Sequence, residues 1–207
     1  MEFDDFIFSN RLEKKLKYLD DNPHRIITPL LFHGGVGTGK TSFAKYFANK
    51  HASSVTIFDG SNENRNDEMV DYFHQSNILN LDSIGDDKQF GRAIIVDEFH
   101  DLTPKKQDKL KVIFQDNSSN SGNLINLIII CLNTSTDSTS EALTSVVTKA
   151  IRSRCNAGTF CFTPEQDEDV EVIRKIQLKY PNLDYDFIVD AYPDLRMIVG
   201  QSMSNEL

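Results

Sequence analysis

Residues 34 to 42 have the composition of a loop that binds phosphate. The segment reads Gly34-Gly35-Val36-Gly37-Thr38-Gly39-Lys40-Thr41-Ser42 and satisfies the pattern GxxxxGK[ST] at every fixed position. Glycines let successive backbone N–H groups turn inward around a phosphate, and a helix beginning here offers its positive N-terminus. We expect Lys40 to reach the β- and γ-phosphates of a nucleotide and the Thr41 hydroxyl to bind Mg²⁺. The alternative, a merely glycine-rich turn, is disfavoured because an apolar strand precedes the loop and a helix follows it.

Two adjacent carboxylates form a second candidate group. Asp97 and Glu98 follow the apolar run Ile94-Ile95-Val96, so they stand where a buried strand ends. A carboxylate there lies beside the phosphates and holds Mg²⁺ directly or through water, which we assign to Asp97. Glu98 is suited to orient or deprotonate an attacking water. Taken alone, such a pair is equally consistent with a functional site and with the solvated start of a loop. The phosphate loop earlier in the chain favours the functional interpretation.

Three further side chains could act on a transferring phosphoryl group. Asn133 follows the most hydrophobic run of the chain, residues 127–132, and could hold a hydrolytic water, although asparagine is also a common turn former. Arg152 and Arg154 carry the charge that a phosphoryl transition state calls for, although arginines in loops are usually only solvated. Arg196 is expected in the first turn of a helix, where a cation opposes the helix dipole. That position suggests a bound anion as its partner.

These residues need a scaffold, and the pattern of apolar runs predicts an α/β fold. Short apolar segments at residues 26–32, 55–58, 93–96, 127–132 and 159–162 alternate with amphipathic segments, the first of which we expect Asn10 to cap. Strands that alternate with helices imply a parallel sheet covered on both faces. We therefore predict a five-stranded parallel sheet flanked by helices over residues 1–163 and a small lid of three helices over residues 164–207. Serine-rich segments at 118–122 and 135–140 are predicted loops.

Composition limits what the protein can be. The chain has 207 residues, a formal net charge of −9 and three cysteines without a CxxC pair. The negative net charge gives no overall electrostatic attraction to nucleic acid. The number and spacing of the cysteines argue against a disulfide framework or a structural zinc site. The sequence contains no apolar run of membrane-spanning length, and its first residues are acidic where a signal peptide carries lysines. We therefore expect no export, no membrane association and a reducing, cytoplasmic location.

The motifs, taken in order, resemble those of a known family. The phosphate loop, Val96-Asp97-Glu98 and Asn133 resemble the Walker A, Walker B and sensor 1 motifs of AAA+ ATPases, which are P-loop NTPases. Ser153-Arg154-Cys155 resembles the Ser-Arg-Cys motif of sliding-clamp loaders, and residues 192–196 are similar to the lid segment of that family. Val96-Asp97-Glu98-Phe99 and residues 160–167 look closest to the small ATPase subunit of tailed-phage clamp loaders, for which the location would be the host cytoplasm.

This resemblance implies ATP and Mg²⁺ as ligands. It implies that Lys40, Glu98, Asn133 and Arg154 are catalytic, with Arg154 reaching the nucleotide of a neighbouring subunit. Arg196 would contact the nucleotide as sensor 2. The implied partners are a sliding clamp, primer–template DNA and other clamp-loader subunits. The implied DNA contacts are Lys109 and Lys111, whose alternative is a solvated helix face.

Two departures from the family are visible. The Tyr-Arg-Pro segment that clasps the adenine is absent, and we expect Ile7 and Phe8 to pack against the base instead. The chain also ends at Leu207, where the C-terminal collar domain of the family would begin, which leaves the number of subunits open.

Three hypotheses remain open. The first is a clamp-loader-type ATPase, favoured by the Ser-Arg-Cys motif. The second is a helicase loader or another DNA-remodelling AAA+ ATPase, favoured by the missing collar. The third is a non-hydrolysing nucleotide-dependent binding subunit, against which the presence of both Glu98 and Asn133 argues.

Overall fold

A parallel sheet organises the part of the protein that the structure describes. The computed structural model describes residues 1–62, 66–75, 88–119, 126–134, 143–144 and 146–205. The strands are β1 (Leu30–Gly34), β2 (Ala52–Asp59), β3 (Phe90–Asp97), β4 (Leu127–Asn133) and β5 (Thr159–Cys161). They lie in the order β2-β3-β4-β1-β5, and every neighbouring pair is parallel. The predicted five-stranded parallel sheet is confirmed.

Helices cover both faces of this sheet. Among the described residues, the α-helices of seven or more residues are, in chain order, α1 (Asn10–Asp21), α2 (Lys40–His51), α3 (Asn66–Gln75), α4 (Pro104–Ser119), α5 (Lys149–Cys155), α6 (Asp169–Lys179), α7 (Tyr185–Ala191) and α8 (Leu195–Ser204). Apolar residues of α1 and α2 pack on one face of the sheet, and those of α3, α4 and α5 pack on the other. None of the helices in the described ranges combines the length and the apolar character that crossing a membrane requires.

The continuous hydrophobic runs follow from burial on both faces. In β4, Ile128 and Ile130 point into the cluster formed with α3, α4 and α5, while Ile129 and Cys131 point into the cluster formed with α1 and α2. All four side chains are fully buried. A fully buried aliphatic side chain contributes about 1.5–3 kcal/mol relative to an exposed one. The central strands therefore hold their carboxyl ends, where the candidate residues lie, in a rigid frame.

The C-terminal helices, α6 to α8, have an apolar cluster of their own. Ile173, Ile176, Ile188 and Ile198 are among its buried members. The Tyr192 hydroxyl also donates a hydrogen bond to Asp169 Oδ1 at 2.8 Å, which ties the end of α7 to the start of α6. We call residues 164–205 the C-terminal helical unit.

Several predicted boundaries were wrong. β1 begins at Leu30 rather than residue 26, because a 3₁₀ turn at Pro23–Arg25 and Pro29, which lacks an N–H, precede it. Ser9, not Asn10, caps α1, since its hydroxyl accepts from Leu12 N at 3.4 Å. β2 and β3 are longer than predicted and β5 ends at residue 161. The predicted loop at 118–122 begins inside α4, and its remaining residues lie outside the described ranges, as does the predicted loop at 135–140.

Candidate functional site

The glycine-rich segment forms the connection between β1 and α2. Gly37 and Gly39 have φ angles of 76° and 86°, in the left-handed region that glycine adopts without a steric penalty. Gly39 stands at the N-cap of α2, and Lys40 is the first residue of that helix. The loop therefore ends at the positive N-terminus of a helix, and this arrangement is suited to binding a phosphate group.

Lys40 lies inside this loop. Its side chain is buried, and Nζ donates to the carbonyl oxygens of Gly34 at 3.1 Å and of Gly35 at 2.5 Å. Burial lowers the pKa of Lys40, and the nearby carboxylates of Asp97 and Glu98 partly oppose that shift. A bound polyphosphate would favour the charged ammonium in the same way as these carboxylates.

Thr41 and Asp97 meet at the edge of the sheet. The Thr41 hydroxyl donates to Asp97 Oδ1 at 3.0 Å, joining the first turn of α2 to the end of β3. The described residues contain no group of three or more His, Cys, Asp or Glu that could hold a metal ion unaided. A hydroxyl and a carboxylate beside a phosphate site nevertheless suit Mg²⁺, which keeps several waters and takes its other ligands from phosphates. The residues present fit Mg²⁺ bound together with a nucleotide.

Glu98 and Asn133 lie next to this pair. Asn133 Nδ2 donates to Glu98 Oε2 at 2.9 Å, so the side chains that end β3 and β4 are in direct contact. Glu98 has a φ of 48° and is the only non-glycine residue with positive φ among those described. Its N–H donates to Asp97 Oδ1 at 3.1 Å, and His100 Nδ1 lies 3.5 Å from its carboxylate. A strained backbone held by neighbouring bonds is frequent at functional sites.

A cavity of about 710 Å³ opens at this edge of the sheet. Its volume is within the range of pockets that bind small molecules. The predicted site residues that line it are Val36, Gly37, Thr38, Gly39, Lys40, Thr41, Ser42, Asp97, Glu98, Asn133, Ile7, Phe8 and Arg196. The structure thus brings together residues from five separate segments of the chain.

Gly35 is an exception among the predicted nucleotide-binding residues. It is buried and is not among the residues that line the cavity. Its N–H donates to Thr163 Oγ1 at 2.7 Å, and its carbonyl accepts from Lys40 and from Thr38. Gly35 therefore holds the conformation of the loop through these bonds and does not line the cavity. The bond to Thr163 has no signal in the sequence, because 128 residues separate the two partners.

The C-terminal helical unit contacts the phosphate loop at Gly37. Leu195 N donates to Gly37 O at 3.1 Å, and a Cβ added at Gly37 would overlap the carboxylate of Asp194. Asp194 caps α8 by accepting from Arg196 N at 3.0 Å and Met197 N at 3.3 Å. This contact places the Arg196 side chain, in the first turn of α8, at the wall of the cavity.

Sequence reasoning missed several residues of the cavity wall. They are Met1, Asp5, Phe6, Lys179, Tyr180, Leu195 and Val199. Ile7 and Phe8, which were predicted, belong to the same N-terminal segment. Phe8 is buried against Phe43 and Phe162, with ring centroids 5.3 and 5.7 Å away. Phe8 is therefore chiefly a core residue, and it also borders the cavity.

Arg154, Lys109 and Lys111 do not line the cavity. Arg154 is half-buried on α5, and its Nη1 donates to Ala150 O at 2.8 Å. Lys109 is exposed and Lys111 half-buried on α4. Gln107 of that helix is buried and bonds to Leu102 O, Val146 O and Thr148 N. It therefore joins α4 to the segment before α5 and does not face solvent.

Comparison with known proteins identifies the family. The family described as "ATPase family associated with various cellular activities (AAA)" matches residues 30–154, which is more than half of the chain. The curated relative RuvB of Mycoplasmopsis pulmonis (strain UAB CTIP), a Holliday junction branch migration complex subunit, is 29% identical over 117 residues. That match covers 55% of this chain and 33% of RuvB.

Solved structures share the fold. DnaA, a replication initiator bound to AMPPCP and single-stranded DNA, superposes with a TM-score of 0.62 at 20% identity, covering 99% of this chain and 64% of DnaA. RuvB from Thermotoga maritima gives a TM-score of 0.55 at 17% identity, covering 85% and 52%. The chain thus spans between a third and two thirds of the proteins it matches. By the family match and the fold, the chain belongs to the AAA family of ATPases.

Proposed function

We propose that the chain binds Mg²⁺-ATP in the 710 Å³ cavity and hydrolyses it. Residues 1–163 act as the core and residues 164–207 as a lid. The single observation that carries this proposal is the convergence of the two contacts at one edge of the sheet. Thr41 lies 3.0 Å from Asp97, and Asn133 lies 2.9 Å from Glu98. A nucleotide-binding protein without hydrolysis needs the first pair but has no use for the second.

The loop residues bind and orient the triphosphate. Backbone N–H groups between Val36 and Thr41 surround the β-phosphate, and the Lys40 ammonium extends to the γ-phosphate. Arg196, at the cavity wall, adds a second cation from the lid side. Thr41 and Asp97 would hold Mg²⁺, which would supply positive charge to offset that of the triphosphate.

Glu98 acts on the attacking water, and Asn133 positions Glu98. The Glu98 carboxylate accepts a hydrogen bond from the attacking water and takes up its proton as the water oxygen bonds to the γ-phosphorus. The bond from that phosphorus to the β–γ bridging oxygen breaks in the same displacement, and ADP leaves with this oxygen. Asn133 fixes the direction of that carboxylate through its 2.9 Å hydrogen bond. Phosphoryl transfer requires chiefly positioning and charge stabilisation, and this small set supplies both.

Arg154 belongs to a different part of the surface and serves a neighbouring subunit. It lies on α5, outside the cavity of its own chain. An arginine that stabilises the charge of a phosphoryl transition state must approach the γ-phosphate, so Arg154 acts only where a second chain presents its cavity. The proposal therefore includes assembly of ATPase subunits side by side.

We further propose that ATP turnover is coupled to loading a sliding clamp onto primer–template DNA. The Ser153-Arg154-Cys155 sequence supports this role. Lys109 and Lys111 are the proposed contacts to the DNA backbone, and exposure of Lys109 is consistent with that role. A small number of lysine–phosphate contacts gives binding that weakens steeply with salt.

A second candidate is a DNA-remodelling ATPase such as a helicase loader. The sequence similarity to RuvB, a branch migration complex subunit, is the observation that favours it. The two candidates share the ATP site and differ in the partner.

Capture by an immobilised sliding clamp in the presence of ATP decides between them. The first candidate predicts capture with ATP and none with ADP, and the Lys40→Ala variant is the matched control for nucleotide dependence. No capture under conditions where ATP binds would favour the remodelling candidate. For the DNA contacts, the Lys109→Ala/Lys111→Ala variant should lower the salt dependence of DNA binding while ATP binding is retained.

A further inference from the structure

The N-terminal strap, residues 3–9, forms part of the cavity wall. Four of its residues, Asp5, Phe6, Ile7 and Phe8, line the cavity together with Lys179 and Tyr180 of the C-terminal helical unit. Because the proposed phosphate and metal groups come from the loop and the strand ends, the strap and these two residues are part of the wall that remains for the sugar and base.

Two lysines of α6 bond directly to the backbone of this strap. Lys175 Nζ donates to Phe8 O at 2.9 Å. Lys179 Nζ donates to Asp4 O at 3.0 Å and to Asp5 O at 2.6 Å. The two lysines are one helical turn apart and so lie on the same face of α6. Three of the carbonyls of the strap are thus held by ammonium groups of the C-terminal helical unit.

Ion pairs continue this attachment beyond the strap. Lys175 Nζ also lies 2.7 Å from Glu13 Oε2 and 3.3 Å from Glu171 Oε1. Asn10 N donates to Glu171 Oε1 at 3.0 Å, and Arg11 pairs with Glu168. The Lys175–Glu171 pair lies within α6, and the other bonds join the start of α1 to α6 and to the residue before that helix. The strap is therefore fastened along its length to the helical unit and not only at one point.

The opposite side of the strap contacts the core in a different way. Phe6 and Phe8 pack against Phe43 of α2, with ring centroids 5.2 and 5.3 Å away. Phe3 packs against the same ring at 5.9 Å. Apolar contacts of this kind stabilise the strap without fixing its backbone closely, because they have little directionality. The charge-assisted bonds to Lys175 and Lys179 have the directionality that the aromatic contacts lack.

We propose that Lys175 and Lys179 are positioning residues for the nucleoside part of the ligand. By holding the strap carbonyls, they set the distance between residues 5–8 and the base, and they make the base end of the cavity depend on the position of α6. This inference rests on the proposed function, since it concerns the same nucleotide. It predicts that the two lysines contribute to affinity for ATP but not to affinity for the triphosphate group alone.

The test compares two ligands by titration calorimetry, Mg²⁺-ATP and Mg²⁺-tripolyphosphate. For Lys175→Met/Lys179→Met we expect affinity for ATP to fall about tenfold, because binding must then also order the released strap. Affinity for tripolyphosphate should not change. Lys175→Arg/Lys179→Arg, which keeps the donors, should recover ATP affinity to within about twofold. Arg174→Met is the matched control, because Arg174 is exposed on the same helix and makes no ion pair with any other described residue.

Each outcome is decisive. Unchanged ATP affinity in the double methionine variant would overturn the inference, and so would an equal loss for both ligands, which indicates a general structural effect. Should the double variant fail to fold, Lys179→Met alone replaces it, since that side chain is exposed. If the wild-type protein binds neither ligand, the proposed function itself fails, and this result is distinct from the first two.

Discussion

The Asn133 amide donates to the Glu98 carboxylate across 2.9 Å, and 35 residues separate the two in the chain. They meet because β3 and β4 are adjacent and parallel, so their carboxyl ends lie at one edge of the sheet. The same edge receives the phosphate loop after β1, and Gly34 is paired with Asn133 in the sheet register. The fold thus assembles, from three strand ends, the groups that we propose to bind phosphate and metal and to act on water.

Glu98→Gln should abolish turnover while nucleotide binding survives. The amide keeps the size of the side chain but cannot take up a proton, and a general base contributes about a hundredfold or more to rate. Steady-state ATP hydrolysis and calorimetric ATP binding give the two readouts. Asp101→Asn is the matched control, because Asp101 is an exposed carboxylate nearby that does not line the cavity. Unchanged turnover in Glu98→Gln would remove Glu98 from the role of base.

Gly37→Ala should weaken ATP binding and lower the free energy of unfolding. The new Cβ would overlap the Asp194 carboxylate, and the residue would be held at a φ of 76°. We expect a loss of about 1–3 kcal/mol in thermal or denaturant unfolding. Gly39→Ala separates the causes, because Gly39 has a φ of 86° but no atom within 4 Å of the added Cβ. A Gly37→Ala protein no less stable than Gly39→Ala would contradict the contact between Asp194 and the loop.

Gly200→Ala serves as the reference for these glycine variants. Gly200 lies within α8, and no atom approaches its added Cβ within 4 Å. Because alanine favours helix over glycine, this variant should be more stable by up to about 1 kcal/mol. It should bind ATP with wild-type affinity.

Arg154→Ala and Lys40→Ala chains should be inactive alone and partly active when mixed. A mixed pair can join an intact loop on one chain to an intact Arg154 on the other. With random pairing of equal amounts, roughly a quarter of the interfaces are productive, so about that share of activity should return. ATP hydrolysis measured over a range of protein concentrations tests this. Absence of recovery at concentrations where wild-type chains associate would place Arg154 outside the reaction.

Acid should destabilise the wild-type protein more than His33→Gln. His33 is buried in β1, and burial, together with the charge of Lys40, lowers the pKa of His33 from 6.5 to about 4. Its unfolded form takes up a proton near pH 6.5, whereas the folded form does so only near pH 4. Stability is therefore unaffected above pH 6.5 and is lost as pH falls through this window, by up to about 3 kcal/mol. The unfolding free energy of His33→Gln minus that of the wild type, followed from pH 7.5 to 4, should rise by that amount. A constant difference would show that His33 titrates normally.

The order of strands and helices could be predicted because each element has a local signal. The run at 127–132 is apolar at every position since both faces of β4 are buried. Gly37 and Gly39 indicate the loop because their positions require φ angles in the left-handed region, which favours glycine. Since parallel strands end at one edge, the positions of Asp97 and Asn133 after two apolar runs are enough to predict that they lie close together. Their assigned roles remain predictions.

The rest of the site depends on contacts between distant segments, for which a single sequence carries no local signal. The overlap of Asp194 with the space beside Gly37 and the bond from Gly35 to Thr163 both join residues more than a hundred positions apart. The sequence around Lys179 is typical of an exposed helix end. Only the fold shows that its Nζ donates to the carbonyl oxygens of Asp4 and Asp5. The start of β1 was misplaced because Ile26 and Ile27 are apolar, although Ile27 is exposed.

Calorimetric titration of the folded wild-type protein with ATP in the presence of Mg²⁺ tests the central claim most directly. The account predicts saturable binding that weakens at least tenfold in Lys40→Ala, which removes the buried ammonium from the loop. Folding of both proteins is verified by circular dichroism. Absence of ATP binding by well-folded wild-type protein, or equal binding by Lys40→Ala, would contradict the account.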